Sequence, residues 1–209
     1  MSAALSKYER PWFVVSRWQQ FAGEARANLL RVVALVAFYA VQLYQFLFLN
    51  ERNDAAVSFQ REVTLIVAAW SLVALAVLIC LRRGVLPERL KYLSSAADIA
   101  LLTLMARAGE GATGPLVHVY FLILATAALR FSLGLVWFTT IASAIAYLGL
   151  VGMADDSWFD AEHTIPVIDQ LITLVSLGLA GIILGQVVRR ARPMALQFAE
   201  RAAQHSEGA

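Results

Sequence analysis

Charge is what this sequence has least of. Asp, Glu, Lys and Arg make up 15% of its residues and hydrophobic types 60%, against about 25% and roughly 45–50% in soluble domains. That balance excludes an ordinary water-soluble fold, which would leave too much apolar surface wet. The single cysteine, Cys80, excludes an internal disulfide and a cysteine-based zinc site. Paired intramembrane histidines, the usual ligands of a b-type haem, are missing: His118 falls in an apolar stretch, but His163 lies in a loop and His205 in the tail. The apolar stretches hold no carboxylate pair at metal-ligand spacing, and the chain has no phosphate-binding Gly-Lys loop and no recognisable Ser/His/Asp set. Nearly all of the 209 residues are needed for hydrophobic spans, so the expectation is a non-enzymatic protein with no metal and no resident cofactor. A formal charge of +2 gives no footing for nucleic acid. The halves show no repeat with matching broken helices, which sets a small-molecule transporter third among the functional readings.

What is present is a membrane architecture. Residues 11–28 read as an amphipathic helix lying on the membrane, with Val14, Trp18, Phe21, Ala25 and Leu29 at helical spacing and Arg17, Gln20, Glu24 and Arg26 on other faces. Trp12 and Trp18 suit the headgroup level. Lys7, Arg10, Arg17 and Arg26 stand among aromatic residues with no apolar core leading to a small-residue cleavage site, so no cleavable signal peptide is expected. Six spans follow, near Leu29–Leu49, Val63–Leu81, Leu93–Ala108, Pro115–Leu129, Leu133–Met153 and Pro166–Val188, each set against the ~20 residues that cross about 30 Å of hydrocarbon. The third is short and interrupted by Ser94, Ser95 and Asp98. The predicted fold class is therefore an all-α integral membrane protein of six transmembrane helices. It divides into an amphipathic segment at 1–28, the bundle at 29–188 and a basic tail at 189–209, where Pro193 breaks the backbone and starts a short cytoplasmic helix.

Loop charge orients the bundle. Arg82, Arg83, Arg89, Lys91, Arg130, Arg189, Arg190 and Arg192 fall on the same side as the basic amino-terminal segment, and the loop with Asp155, Asp156, Asp160 and Glu162 falls opposite. Lys and Arg favour the cytoplasmic side of short loops, so both termini are expected in the cytoplasm of a bacterial inner membrane.

Ionisable residues inside spans are functional candidates by default. His118 and Asp169 stand at similar depth and could pair near the outer rim. With Tyr120, Gln42, Gln45, Tyr147 and Gln170 they form a candidate polar pocket for a lipid headgroup, a quinone-like ring or a pigment, with His118 free to titrate near neutral pH. The alternative is interhelical glue, each such bond contributing about 0.6 kcal/mol. Deeper, Asp98 on the third span is within reach of Arg130 from the end of the fourth, a candidate inner charge pair. Gly178, Gly181 and Gly185 mark a close-packing face on the sixth span, used either within the bundle or in a homodimer through Gly181 and Gly185.

Asp98, the turn Gly109, Gly111, Gly114, Pro115 and Leu116, then Tyr120-Phe121-Leu122, Ala127-Ala128-Leu129-Arg130-Phe131 and Ala146-Tyr147-Leu148 give residues 30–190 a resemblance. This stretch resembles the multi-span amino-terminal input region of bacterial sensor histidine kinases. The resemblance implies a membrane sensor whose last span passes a small displacement into a cytoplasmic helix. Such kinases continue into a phospho-accepting helix and an ATP-binding domain, and residues 190–209 hold neither. The leading expectation is thus a sensor-like input module acting on a membrane or cytoplasmic partner protein. The second is an accessory structural subunit of a larger membrane complex.

Overall fold

The computed structural model describes residues 5–49, 54–84, 87–154 and 166–207, with side chains in 21–48, 54–84, 87–154 and 166–191 apart from Ala55 and Glu88. Every element among them is helical: α1 (Leu5–Tyr44), closing in a π-helical turn at Gln45–Leu49, α2 (Asp54–Arg82), α3 (Glu88–Ala108), α4 (Val119–Ala128), α5 (Leu133–Ala154) and α6 (Val167–Glu207). Four segments are long and apolar enough to cross a membrane: Phe21–Phe48, Ala56–Arg82, Leu133–Ala154 and Val167–Ala191. The six predicted spans thus reduce to four on these grounds. α3 carries Arg89, Lys91, Asp98 and Arg107. The return segment is short, a 3-10 turn at Pro115–His118 followed by the 10 residues of α4, which together reach roughly 23 Å.

These two weaker segments form the inside of the bundle. Gly111 adopts φ +66, a left-handed conformation open to glycine, and turns the chain back on itself. α3 and α4 are then antiparallel neighbours, tied by Thr103 and Tyr120 hydroxyls 2.8 Å apart and by Arg130 Nη1, which donates to the Lys91 carbonyl at 3.0 Å. Leu102, Tyr120 and Leu124 from the hairpin share one buried core with Tyr147, Leu150 and Leu177. The outer helices turn Leu29, Val36, Leu65, Leu72, Ile145 and Ile183 outward, each at least half exposed. Such a continuous apolar exterior suits hydrocarbon, not water.

Close approaches show which helix ends lie together. A Cβ on Gly23 of α1 would meet the Leu129 carbonyl at 3.1 Å and Arg130 Cα at 3.2 Å, and one on Gly134 would meet the Tyr92 hydroxyl at 3.0 Å. A Cβ on Gly185 of α6 would touch Leu133 at 3.4 Å. The start of α3, the turn between α4 and α5, Gly23 and Gly185 therefore share one end of the bundle. From there α1 runs on toward Leu5 and α6 toward Glu207, so both extensions leave by that end.

Two predicted boundaries are corrected. The surface helix over 11–28 is not separate, because α1 passes Leu29 unbroken for a total of 40 residues. Ala25 and Leu29, on the apolar face expected to meet the membrane, are exposed, whereas the polar face packs into the bundle and buries Glu24, Asn28 and Arg31. The side chains of Trp12, Val14, Arg17, Trp18 and Gln20 lie outside the described residues. Pro193 does not start a new helix either, since α6 continues through it for 41 residues. A proline there removes one N–H donor, a local loss within so long an element.

Two of the three glycines of α6 pack inside the chain. A Cβ on Gly181 would overlap the Thr140 side chain of α5, and Gly185 faces Leu133, while Gly178 has nothing within 4 Å. The Gly181/Gly185 pair is occupied by α5, and a homodimer through these two residues would have to displace it.

Candidate functional site

Glu24, Asn28 and Arg31 recur along α1 at steps of four and three residues, a spacing that stacks side chains on one helical face. That face meets the inner hairpin. Arg31 grips Asp98 of α3 in a two-pronged ion pair, Nε to Oδ1 at 2.8 Å and Nη2 to Oδ2 at 2.6 Å. Trp70 of α2 donates its indole N–H to the same Oδ1 at 2.7 Å. Arg31 Nη1 donates to Asn28 Oδ1 at 2.8 Å, and Asn28 Nδ2 reaches the Ala74 carbonyl of α2 at 3.2 Å. One carboxylate thereby fastens α1, α2 and α3 to each other.

The geometry explains why the charges are tolerated. Taking an ion pair out of water costs several kcal/mol per ion, and only close bidentate contact with further hydrogen bonds repays it. The Arg31 and Asp98 side chains are 5% and 9% exposed, and each has partners beyond the other.

About two turns along α1 lies a second, looser pair. Arg130 Nε is 3.3 Å from Glu24 Oε1, without the alignment of a hydrogen bond. The other Arg130 nitrogens donate to the Lys91 carbonyl at 3.0 Å, Ser95 Oγ at 2.8 Å and Ser94 Oγ at 3.3 Å. Glu24 Oε2 is buried with no hydrogen-bond partner among the described residues. Burial pushes the Arg130 guanidinium below its ordinary pKa and the Glu24 carboxylate pushes back, so the side chain stays protonated, as arginine does in proteins. Phe131, next in sequence, takes φ 50 in the turn into α5.

Asp98 and Arg130, the predicted inner pair, both belong to this network, but each has another direct partner. Arg31 takes the Asp98 carboxylate, and Arg130 pairs with Glu24. The predicted outer pocket is not assembled. His118 and Asp169 are both exposed, with no hydrogen bond or ion pair between them among the described residues, and His118 Nδ1 lies 3.1 Å from the Pro115 carbonyl of its own turn. Tyr120 and Tyr147 are buried in the core, Gln42 and Gln170 are half-buried, and Gln45 is exposed in the π-helical turn. None of the seven lines the cleft that opens between α1 and α4 with Arg31, Asp98 and Trp70 along its polar side.

No family model, curated protein or solved structure matches this chain.

Proposed function

We propose that this chain is a non-enzymatic membrane signal-input module that acts through a partner protein. One observation carries the reading: α1 and α6 leave the same end of the bundle as unbroken helices, and α1 is fastened to the inner hairpin by buried ion pairs where it enters. A packed helix shifts as a body, so a displacement of the hairpin reaches α1 through Asp98 and Arg130 and travels along it to the exterior. The topology that belongs to this reading has six crossings, with α3 and Pro115–Ala128 shielded in the middle of a bacterial inner membrane. Arg82, Arg83, Arg89, Lys91, Arg189 and Arg190 mark the end with both termini as cytoplasmic.

Labelling with a membrane-impermeant maleimide checks the topology in a Cys80→Ser background. Glu110→Cys, in the hairpin turn, is expected to react in intact spheroplasts and Ser206→Cys only after lysis. Reaction of Glu110→Cys only after lysis would mean that the hairpin does not cross.

Copurification in mild detergent tests the function. The full chain is expected to hold one partner that is lost when residues 192–209 are deleted, while the bundle itself stays in the membrane. A partner retained in fixed stoichiometry without either helical extension would instead support the accessory-subunit reading and remove the signalling one.

A further inference from the structure

We infer that the cleft between α1 and α4 is a binding site for a neutral, carbonyl-headed lipid. Its head is held by Arg31, and its apolar body lies between the two helices. The walls of the cleft come from α1, α2, α3 and α4. It opens sideways, with Leu30, Phe38 and Leu122 at the mouth 39%, 42% and 38% exposed and Leu35 and Ile123 buried in its walls. An occupant therefore enters from surrounding hydrocarbon rather than from water.

The polar side decides the head. Asp98 already accepts two hydrogen bonds from Arg31 and one from Trp70. A guanidinium has five N–H donors, and the bonds to Asp98 and Asn28 engage one each on Nε, Nη1 and Nη2. Among the described residues one N–H on each terminal nitrogen has no acceptor, and Arg31 lines the cleft. A donor left unsatisfied at a buried position costs free energy, so the site calls for an acceptor. The Arg31–Asp98 pair is neutral as a unit, and a charged head would bring an uncompensated charge into a nearly dry place.

Depth narrows the choice further. Asp98, which holds Arg31, stands seven residues beyond Lys91 on α3, about 10 Å along its axis from the basic end of the bundle. A phosphate headgroup anchored at the interface does not reach that level. A carbonyl on a membrane-dissolved molecule does, and two sources share this chemistry: an acylglycerol and an alkyl-tailed quinone.

The site is tested on the full chain alone, independently of any partner or signal. The chain in detergent is incubated separately with decyl-tailed benzoquinone and with dioleoylglycerol and read by native mass spectrometry. One of the two is expected to saturate at one molecule per chain, and the one that does identifies the source. Ala34→Phe, which plugs the cleft without touching the ion pair, is expected to weaken binding at least tenfold. Leu122→Trp plugs the exposed mouth and makes the same test if Ala34→Phe fails to fold. The site is refuted if neither probe saturates, if a folded plugged variant binds as the wild type does, or if an anionic phospholipid occupies the cleft and is lost on plugging.

Discussion

Replacing Asp98 by alanine is expected to lower the unfolding free energy of the bundle by about 3–5 kcal/mol, measured by reversible unfolding in mixed micelles. The loss has three sources. Arg31 keeps a buried charge with its two-pronged partner gone, the Trp70 indole loses its acceptor, and the cavity left by the carboxyl group is too enclosed to rehydrate freely. Arg31→Met is expected to cost a similar amount by stranding the Asp98 carboxylate. Combining Arg31→Met with Asp98→Leu should restore most of the stability, because apolar side chains of similar volume remove both desolvation penalties together. The remaining deficit is that of the Trp70 indole donor and the Asn28 carbonyl acceptor, neutral groups whose lost bonds within a membrane bundle contribute about 0.6 kcal/mol each.

The second large effect is expected at Gly181. A side chain there would overlap Thr140 on α5. Gly181→Val should cost about 1–3 kcal/mol through forced separation of α5 and α6. Gly178→Val, one turn earlier, should be nearly neutral, because a Cβ added there would have nothing within 4 Å. Thr140→Ala is the natural suppressor: its hydroxyl donates to the Val136 carbonyl of its own helix, so its removal makes room at little cost. Failure of Thr140→Ala to relieve Gly181→Val would place the Gly181 requirement elsewhere.

How much of this was legible in the sequence differs between backbone and charges. Helical class and the positions of α2 and α5 follow from apolar run length, because a run of leucine, alanine and valine has few other ways to satisfy its backbone in hydrocarbon. Asp98 and Arg130 stood out as charges in apolar surroundings and both are buried. Their partners did not stand out, for a physical reason. Glu24 and Asn28 lie where helical periodicity alone assigns a wet face, and only packing against the hairpin tells a wet face from a buried polar one. Arg31 carried a readable signal, since it falls inside the predicted first span and an ionisable residue there calls for a partner. A stripe of Glu24, Asn28 and Arg31 at helical spacing running into an apolar helix could have identified the face that meets Asp98. The outer pocket failed on a different point. Similar depth puts His118 and Asp169 at one level, but depth is silent on which way a helix is rotated, and both turn outward.

The pairing pattern is the centre of the account, because it fixes α1 to the hairpin. Two double-mutant cycles read it directly, one between Arg31 and Asp98 and one between Arg130 and Asp98. A coupling free energy of about 2–3 kcal/mol is expected for Arg31 with Asp98, and well under about 1 kcal/mol for Arg130 with Asp98. The reverse ranking would contradict the docking of α1 on the hairpin and restore the pairing that the sequence alone predicts.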